Sequence, residues 1–352
     1  MKSDVYIVRV ESSNMGDRVN ALKKLVAALS PSIKYKKDEI VPIKITVGDS
    51  ACAFNVAPEL IKVIVTDIKN KGTRPFLFDT SVIYKGSRQN AVDHMTLAYN
   101  KGMHQGKAGA PFIVADGLLG HDGVEIETDS KDIKKIKVPS FVGMLDSLVV
   151  VSHVTGHIIS QYAGAMKNVA MGMACKPTKQ VQHSSLKPSV IEKRCVACGQ
   201  CVKICPAKAI KIMEKAAIDQ GICVGCGECL CACKFNAILV NWEEDEGTFC
   251  RRMVDVAYEI LKRFEKRIFF NFALDITKEC DCISTKDETM VSGDIGILAS
   301  SDPLAIDKAC TDIMIKEKSS AFFSGEKTTY GPMYEYAAKR GLGNMDYKLI
   351  TI

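Results

Sequence analysis

The chain repeats one cysteine pattern, first in Cys195-Val-Ala-Cys198-Gly-Gln-Cys201-Val-Lys-Ile-Cys205-Pro206 and again in Cys223-Val-Gly-Cys226-Gly-Glu-Cys229-Leu-Cys231-Ala-Cys233. Each run reads C-x2-C-x2-C-x3-C, so the same four-cysteine spacing occurs twice. Glycines between the cysteines allow tight turns that bring backbone N–H groups close to the sulfur atoms. Thiolates at such short and regular spacing are typical of a metal centre.

The spacing of the two runs is that of a pair of [4Fe–4S] clusters of the bacterial type, in which the fourth cysteine of a run binds the other cluster. The ligands of the first cluster are then Cys195, Cys198, Cys201 and Cys233, and those of the second are Cys223, Cys226, Cys229 and Cys205. A pair of zinc knuckles is the alternative, but zinc sites do not use an x3-Cys-Pro tail. The sequence predicts two [4Fe–4S] clusters as cofactors and leaves a further metal or organic cofactor open.

Length and composition place these cysteines in a larger globular protein. The chain has 352 residues, of which 47% are hydrophobic and 25% charged, with a net charge of +6. The lysines are scattered and no arginine-rich arm occurs, so nucleic-acid binding is not expected. No signal peptide begins at Met1, and the longest apolar run, Leu148-Val-Val-Val151, is too short to span a bilayer. Because cluster ligands must be reduced thiols, we expect a cytoplasmic protein without a membrane partner.

Strand-like and helix-like segments alternate on both sides of the cysteine stretch. Predicted strands are Val5–Val10, Ile40–Val47, Phe76–Phe78, Pro111–Ala115, Leu148–Val151, Arg267–Ala273, Ile295–Ala299 and Tyr347–Ile352. Predicted helices are Asp17–Leu29, Pro58–Lys71, Arg88–Asn100, Ala163–Ala174, Met253–Lys266, Leu304–Ile315 and Met333–Arg340. This alternation favours an α/β fold with a mostly parallel sheet and helices on both faces.

The cysteine stretch lies inside this α/β pattern. The polar segment Gln180–Lys193 is typical of a linker before it, and Glu243-Glu-Asp-Glu-Gly247 follows it. We therefore expect three parts: residues 1–186 form the first part of the α/β domain, 187–242 a ferredoxin-like α+β insertion, and 243–352 the second part.

Polar residues recur where the predicted strands end. They are Asp79 and Thr80, Asp116, Ser152 and His153, Asp275, and Ser300, Ser301 and Asp302. Ligands of open parallel sheets bind outside the carboxyl ends of the strands, so a shared pocket is expected there. Helix capping is the alternative for Asp116 and Asp302, because Asp and Ser commonly cap the helix that follows a strand.

Histidine and lysine residues after the fifth predicted strand are candidates for chemistry. His153 and His157 share one loop and could bind a metal, transfer protons or bind an anion, although one could merely brace the loop. Lys167 and Asn168 follow on a helix of small apolar residues. The lysine could neutralise a carboxylate or phosphate or act as an acid, unless its ammonium group simply extends to solvent.

A C-x-C pair, Cys280-Asp281-Cys282, follows the strand that ends at Asp275. Such a pair can bind a metal or cycle between a dithiol and a strained disulfide, and a buried structural pair is the alternative. The chain has no G-x-G-x-x-G after a strand, so no dinucleotide site is predicted.

Several blocks together make the chain similar to the domain-of-unknown-function 362 family, in its subgroup with an inserted two-cluster ferredoxin. The blocks are Tyr84-Lys-Gly-Ser-Arg88-Gln-Asn90-Ala-Val-Asp93-His94, Ala115-Asp-Gly-Leu-Leu-Gly-His121-Asp, Ser152-His153-Val-Thr-Gly156-His157, Gly164-Ala-Met-Lys167-Asn168, Asp275-Ile-Thr-Lys-Glu-Cys280-Asp-Cys282 and Asp294-Ile-Gly-Ile-Leu-Ala-Ser-Ser-Asp302-Pro303. A distant resemblance to the lactate racemase fold implies an α/β architecture with a His- and Lys-containing site. Lys234 follows Cys233 where ferredoxins usually have Pro.

Three functions are compatible with these features. The favoured one is an iron–sulfur oxidoreductase whose clusters exchange electrons with a partner protein and with a small substrate in the α/β domain. His153, His157, Lys167, Cys280 and Cys282 are then its catalytic residues, and Asp79, Arg88, Asn168, Asp275 and Asp302 bind substrate. The alternatives are an electron carrier or docking protein without a catalytic site, and a lactate-racemase-like isomerase with structural or regulatory clusters.

Overall fold

The computed structural model describes the chain outside residues 1, 11, 30–33, 84–85, 158, 184–186, 206, 224–228, 230–231, 236, 240–245, 283–289 and 318–327. The predicted cluster ligand Cys226 and the neighbouring Cys231 therefore lie outside the described residues.

The helices begin and end at residues suited to those positions. They are α1 (Met15–Leu29), α2 (Pro58–Asn70), α3 (Ala91–Asn100), α4 (Ala165–Gly172), α5 (Lys176–His183), α6 (Gln200–Ile204), α7 (Glu246–Leu261), α8 (Pro303–Lys316) and α9 (Tyr330–Arg340). Pro58 occupies the first turn of α2, and the Asn90 side chain caps α3 by accepting a bond from the Asp93 N–H. Among the helices of the described residues, none has the length and apolar character needed to cross a membrane.

In the described part of the chain, the strands form one large sheet and four small ones. They are β1 (Ser3–Arg9), β2 (Ile40–Lys44), β3 (Arg74–Asp79), β4 (Phe112–Val114), β5 (Val124–Glu127), β6 (Lys135–Val138), β7 (Ser147–His153), β8 (Thr155–His157), β9 (Gln161–Ala163), β10 (Ser189–Val190), β11 (Ile210–Ile212), β12 (Ala216–Ile218), β13 (Ile238–Leu239), β14 (Lys266–Ala273), β15 (Gly296–Ser300) and β16 (Tyr347–Thr351).

The large sheet has eight strands in the order β16-β1-β15-β14-β7-β2-β3-β4. All its pairs are parallel except those of β15, which runs antiparallel to both β1 and β14. Between β14 and β15 the described residues contain no helix that could return the chain to the other end of the sheet, so the two strands run in opposite directions. The predicted mostly parallel α/β sheet is confirmed, with one reversed strand.

Helices cover both faces of this sheet, as predicted. Along β7, Leu148 and Val150 point into the core formed with α4, α7, α8 and α9. Val149 and Val151 point into the second core, which contains α1 and α2. Side chains alternate between the two faces of a strand, and here both faces are buried, which explains the continuous apolar run.

Residues 189–239 contain short elements with a small core of their own. The pairs β10–β13 and β11–β12 are antiparallel, and the core contains Cys195, Cys201 and Cys229 beside Ile210 and Ile238. The chain enters this part from α5, which covers the start of the predicted linker Gln180–Lys193. That linker prediction was wrong for Gln180–His183, because Gln180 and Gln182 are buried against the α/β body.

Candidate functional site

The carboxyl ends of β2, β3, β4, β7 and β14 lie at one edge of the sheet, because these strands are parallel. The loop after β2 joins the loop after β14 there through the Asp49 N–H, which donates to the Asp281 carbonyl at 2.9 Å. The loop after β15 is absent from this edge since β15 is reversed. Most of the predicted rim is therefore brought together, and Ser300, Ser301 and Asp302 lie at the opposite edge.

A pair of thiols lies at the centre of this edge. The Sγ atoms of Cys280 and Cys282 are 2.8 Å apart, and Lys167 Nζ lies 3.1 Å from Cys282 Sγ. Cys280 is buried, whereas Cys282 and Lys167 are partly exposed. The contact with Cys280 and the charges of Lys167 and Arg88 hold the pKa of Cys282 well below its ordinary value, despite burial. Cys282 is therefore the thiolate of the pair, and Lys167 is its counterion.

The contacts that lower the pKa of Cys282 raise the pKa values of its two partners, Cys280 and Lys167. The contact with Cys282 and burial raise the pKa of Cys280 well above its ordinary value, so Cys280 retains its proton. Burial lowers the pKa of Lys167, but the neighbouring thiols outweigh it and the net shift is upward. The arrangement is thus one thiolate, one thiol and one ammonium group.

Arg88 joins this group from the loop between β3 and α3. Its guanidinium is buried, and Nη2 lies 3.4 Å from the Cys282 carbonyl oxygen. It adds a second positive charge beside the thiolate. That Arg88 binds substrate stays a prediction, and its position next to Cys282 agrees with that role.

A buried polar chain connects the sheet to the helix that carries Lys167. Lys44 Nζ at the end of β2 lies 3.1 Å from Asp79 Oδ1 and donates to Asn168 Oδ1 at 2.7 Å. The Asn168 amide in turn donates to the Val151 carbonyl at 2.9 Å and to Ser152 Oγ at 3.0 Å. Asp79 and Asn168, both predicted to bind substrate, are therefore bonded to protein groups that fix α4 on the sheet.

Burial and pairing oppose each other at this ion pair. Burial lowers the pKa of Lys44, and Asp79 partly compensates. Burial raises the pKa of Asp79, but the positive charge of Lys44 and neighbouring groups outweighs it and brings the pKa to about 2. Asp79 is therefore a carboxylate at every physiological pH.

A second buried group lies beside this chain. The Asp116 carboxylate accepts bonds from the Ser81 N–H at 2.9 and 3.0 Å, and Lys179 Nζ donates to the Thr80 and Ser81 carbonyls. Burial lowers the pKa of Lys179 to about 8 and raises the pKa of Asp116. Asp116 thus binds the backbone of the loop after β3 instead of capping a helix.

His153 holds the segment of residues 274–282 after β14, here called the thiol loop, in position. Its Nδ1 lies 2.8 Å from Asp281 Oδ1 and its Nε2 lies 2.9 Å from the Leu274 carbonyl. Both partners are acceptors when Asp281 is ionised, so both ring nitrogens must carry protons to satisfy them. Burial lowers the pKa of His153, but Asp281 outweighs it and the net shift is upward. These contacts favour the protonated form of His153 and fix the residue between the two cysteines.

His157, the other histidine of the predicted pair, is held by its own hairpin. Its Nδ1 accepts bonds from the backbone N–H groups of Ile159 and Ser160, at 3.2 and 3.1 Å. The ring stacks on Phe249 at a centroid distance of 5.7 Å. Burial lowers the pKa of His157 well below its ordinary value, so it is neutral. These contacts give His157 a bracing role and do not join it to the thiol pair.

Asp275 is engaged by an arginine that sequence reasoning did not consider. Arg18 of α1 binds both carboxylate oxygens of Asp275, at 2.6 and 2.8 Å, and also reaches Asp294. Asp275 adopts a φ of 48°, and its N–H donates to Asp294 Oδ1 at 2.8 Å. The carboxylate therefore fixes the start of the thiol loop to α1.

Asp302 has a capping role at the opposite edge. Its Oδ1 accepts the N–H groups of Leu304 and Ala305, each at 2.9 Å, and its Oδ2 accepts the Ser3 hydroxyl at 2.7 Å. The expectation that Asp302 shares the pocket with Asp79 and His153 was wrong, because β15 runs antiparallel to its neighbours. The capping alternative explains the Asp-Pro pair at the start of α8.

Lys44, Lys179 and Lys101 are the site residues that sequence reasoning missed. Lys44 interrupts the predicted apolar strand Ile40–Val47, which was a readable signal, since a buried lysine requires a partner. Lys101 Nζ donates to the carbonyls of Val47, Asp49 and Cys52 at 3.1, 2.6 and 3.1 Å. Nothing in the local sequence pattern around Lys101 or Lys179 indicated that these lysines lie at the site.

The predicted cluster ligands lie in the small core of residues 189–239. One cavity is lined by Cys195, Cys198, Cys201 and Cys233, together with apolar residues. Backbone N–H groups point at the sulfur atoms: those of Ala197 and Ala216 lie 3.4 and 3.3 Å from Cys195 Sγ, those of Ala209 and Ala237 lie 3.3 Å from the Sγ atoms of Cys205 and Cys233. In the described part of the chain, no three His, Cys, Asp or Glu side chains converge as the ligands of a single metal ion.

The comparison with protein families assigns the chain to one family. The family described as "Domain of unknown function (DUF362)" matches residues 41–312. The chain belongs to this family. The DUF362 match confirms the predicted family and extends over most of the α/β body as well as residues 189–239. No curated protein matches the chain.

Two solved structures are similar to this DUF362 chain at low identity. A crystal structure of a Thermotoga maritima protein has a TM-score of 0.44 and 10% identity, and the match covers 93% of this chain and 59% of that one. The lactate racemase apoprotein from Thermoanaerobacterium thermosaccharolyticum has a TM-score of 0.39 and 11% identity, with 99% and 82% of the two chains covered. The chain thus spans well under two thirds of the Thermotoga maritima protein.

Proposed function

We propose that this protein is a two-cluster iron–sulfur oxidoreductase of the cytoplasm. Its clusters would exchange electrons with a partner protein and with a small substrate bound at Cys280, Cys282 and Lys167. The observation that carries the proposal is the cavity lined by the four cysteines assigned to the first cluster. These cysteines come from two runs of the sequence, and the pairing of the first three with the fourth of the other run is what the ferredoxin spacing requires.

The chemistry of this donor set suits an iron–sulfur cluster. Backbone N–H groups directed at Cys195 Sγ lower the pKa of this thiol, which favours the thiolate form that binds iron. Similar N–H contacts reach Cys205 and Cys233. A cubane presents four separate iron atoms, so its four thiolates surround it and need not converge on one point. A bound pair of clusters would supply one-electron transfer, and N–H groups near the sulfurs tune its potential.

Of the second ligand set, Cys226 lies outside the described residues. Cys205 and Cys229 pack into the same small core as Cys195 and Cys201. This proximity is expected if the fourth cysteine of the first run serves the neighbouring cluster.

The α/β body supports an enzyme over a simple carrier. Two cations, Lys167 and Arg88, lie beside Cys282, and their charges act on its sulfur. A carrier that only docks a ferredoxin has no use for them. Two positive charges beside one sulfur favour binding of an anion, so we propose a small anionic substrate. Lys167 and Arg88 would orient it, and His153 would hold the thiol loop.

The test is metal analysis of the full chain isolated without oxygen. We expect about eight irons and eight sulfides per chain, and loss of about half of the iron in Cys198→Ser. The matched control is Cys310→Ala, because Cys310 is buried in the core of the α/β body and should not affect iron content. Zinc in place of iron, or equal iron in Cys198→Ser and wild type after reconstitution, would overturn the proposal.

A further inference from the structure

Cys280 and Cys282 are placed for reaction with each other and with a molecule from solvent. Their sulfur atoms are 2.8 Å apart, and only Asp281 separates them along the chain. Cys282 is partly exposed while Cys280 is buried, so an incoming molecule meets Cys282 first.

The loop around the two cysteines is held from several sides. The Asp281 carboxylate binds His153 at 2.8 Å, and the Asp281 carbonyl accepts the Asp49 N–H at 2.9 Å. Lys167 Nζ contacts Cys282 Sγ at 3.1 Å from the opposite element, α4. These contacts fix the backbone between the thiols, which favours a rapid and reversible bond between sulfurs that need little movement.

We propose that Cys280 and Cys282 form a dithiol–disulfide couple, with Cys282 as the attacking thiolate and a small anionic disulfide as the substrate. The anionic class follows from Lys167 and Arg88, which flank the attacking sulfur. The assignment of roles follows from exposure and from the ammonium group on Cys282. Reduction of the couple by iron–sulfur clusters rests on the proposed function, whereas the exchange with a disulfide does not.

The exchange balances as follows. The Cys282 thiolate attacks one substrate sulfur, a Cys282–substrate disulfide forms, and the first half of the substrate leaves as a thiolate. That thiolate takes the Cys280 proton, and Cys280 then attacks Cys282 Sγ, which expels the second half. The dithiol has lost two electrons, and the substrate has become one thiol and one thiolate. Two electrons and one proton would return the pair to the Cys282 thiolate and the Cys280 thiol, and the clusters of the proposed function would supply those electrons one at a time.

A bond between cysteines two residues apart closes a small ring and is strained. Strained disulfides have higher reduction potentials than structural ones, so the couple is readily reduced, and the exchange runs forward with a substrate disulfide of higher potential still. This property suits a catalytic pair that must be returned to the dithiol in every cycle.

The first experiment is thiol labelling of the full chain, isolated without oxygen, with peptide mapping to locate each modified cysteine. We expect iodoacetamide to modify Cys282 first at pH 7. Cys175 and Cys310 serve as internal controls, because burial raises the pKa of each to about 12. Lys167→Met should slow the Cys282 reaction by about tenfold for each unit by which its pKa then exceeds the pH of the assay, and Lys167→Arg should restore most of the rate. Equal labelling of Cys280 and Cys282, or no effect of Lys167→Met, would overturn the assignment.

The second experiment tests the substrate class with two aromatic disulfides, anionic dithionitrobenzoate and uncharged dithiodipyridine. Relative to their rates with a free thiol, we expect the anionic probe to be favoured about tenfold or more, since a single favourable charge contact of about 1.4 kcal/mol gives that factor. Cys280→Ser should accumulate one mixed disulfide on Cys282, and Cys282→Ser should release no thiol from this loop. A stoichiometric metal on the pair, or failure of oxidised wild type to contain the Cys280–Cys282 disulfide, would refute the couple.

The two proposals fail separately. If the isolated chain holds no iron yet Cys282 reacts as described, the proposed function fails and the exchange stands. If the clusters are present and reducible but added dithionite never restores the Cys280 and Cys282 thiols, the couple fails and the iron–sulfur proposal stands.

Discussion

Asp79→Asn tests the buried ion pair that links the sheet to α4. The Asp79 carboxylate lies 3.1 Å from Lys44 Nζ, and both side chains are almost completely buried. It also accepts the Thr80 N–H at 2.8 Å. The amide has the same shape, so the change removes the charge and little else. Lys44 is then left buried without a carboxylate partner, and breaking such a pair costs about 3–5 kcal/mol.

The pKa of Asp79 gives an independent magnitude. The charges of Lys44 and neighbouring groups together outweigh burial and lower the folded-state pKa of Asp79 from 3.8 to about 2. A carboxyl with a depressed folded pKa stabilises the fold above its unfolded pKa and loses that contribution as the pH falls through its folded pKa. For Asp79 the contribution is about 2 kcal/mol, present above about pH 4 and lost as the pH falls from about 4 to about 2. The Asn substitution at pH 7 costs more than this, because it leaves Lys44 buried without a carboxylate partner.

The assay is urea unfolding at pH 7 of the wild type, Asp79→Asn, Lys44→Met and the double variant, followed by far-ultraviolet circular dichroism. We expect the double variant to be less destabilised than the sum of the single variants, because neither charge is then left alone. The matched control is Glu125→Gln, which breaks the exposed Glu125–Lys135 ion pair between β5 and β6 and should cost less than about 1 kcal/mol. An Asp79→Asn value within about 1 kcal/mol of wild type, or an additive cycle, would refute the reasoning.

Three further substitutions probe how the site is supported. Gly172→Ala places a Cβ on the Lys44 side chain and should lower the free energy of unfolding by about 1–3 kcal/mol, measured by the same urea titration. Arg18→Met removes the ion pair that holds Asp275, and we expect it to lower the free energy of unfolding by about 2 kcal/mol at low salt. A lysine can contact only one of the two carboxylate oxygens, so an Arg18→Lys variant as stable as the wild type would speak against bidentate binding. Gly296→Ala forces a side chain onto a residue with φ of 147° and against the backbone of β1, so soluble folded protein should fall sharply in an expression comparison with wild type.

Much of the α/β body could be predicted from periodicity and punctuation. The apolar run Leu148–Val151 is a central strand because both of its faces are buried. Gly72 and Gly102 follow the ends of α2 and α3, with φ values of 77° and 80°. Such local signals determine where elements begin and end, but they do not determine the direction of each strand in the sheet.

The reversed strand β15 shows where this reading fails. Its sequence, Gly296–Ser300, is as apolar as a parallel strand, so composition gives no sign of direction. The signal was in the connection: Asp275–Asp294 contains no helical period long enough for a crossover. A parallel neighbour needs such a crossover, and the polar residues after β15 were therefore placed on the wrong edge.

The site itself depends on contacts between distant parts of the chain. Lys167 and Cys282 are separated by 115 positions, and His153 and Asp281 by 128. Local pattern could mark each of these residues as unusual, and it did so for Lys167 and the C-x-C pair. It could not show that His157 turns into its own hairpin while His153 binds the thiol loop, because that choice is made by tertiary packing.

Two separate supports determine the position of Lys167 over Cys282. On the helix side, the Asp307 carboxylate accepts the N–H groups of Ala165 and Met166 at 2.8 and 2.9 Å, and Asn168 binds the end of β7. On the loop side, His153 and the Asp49 N–H hold Asp281. Since neither support includes a sulfur atom, the distance between ammonium and thiolate is set by the fold and does not depend on their mutual attraction. The ammonium group therefore stays beside Cys282 Sγ while the pair is a disulfide and is in place when reduction forms the thiolate again, which is what a reversible couple requires.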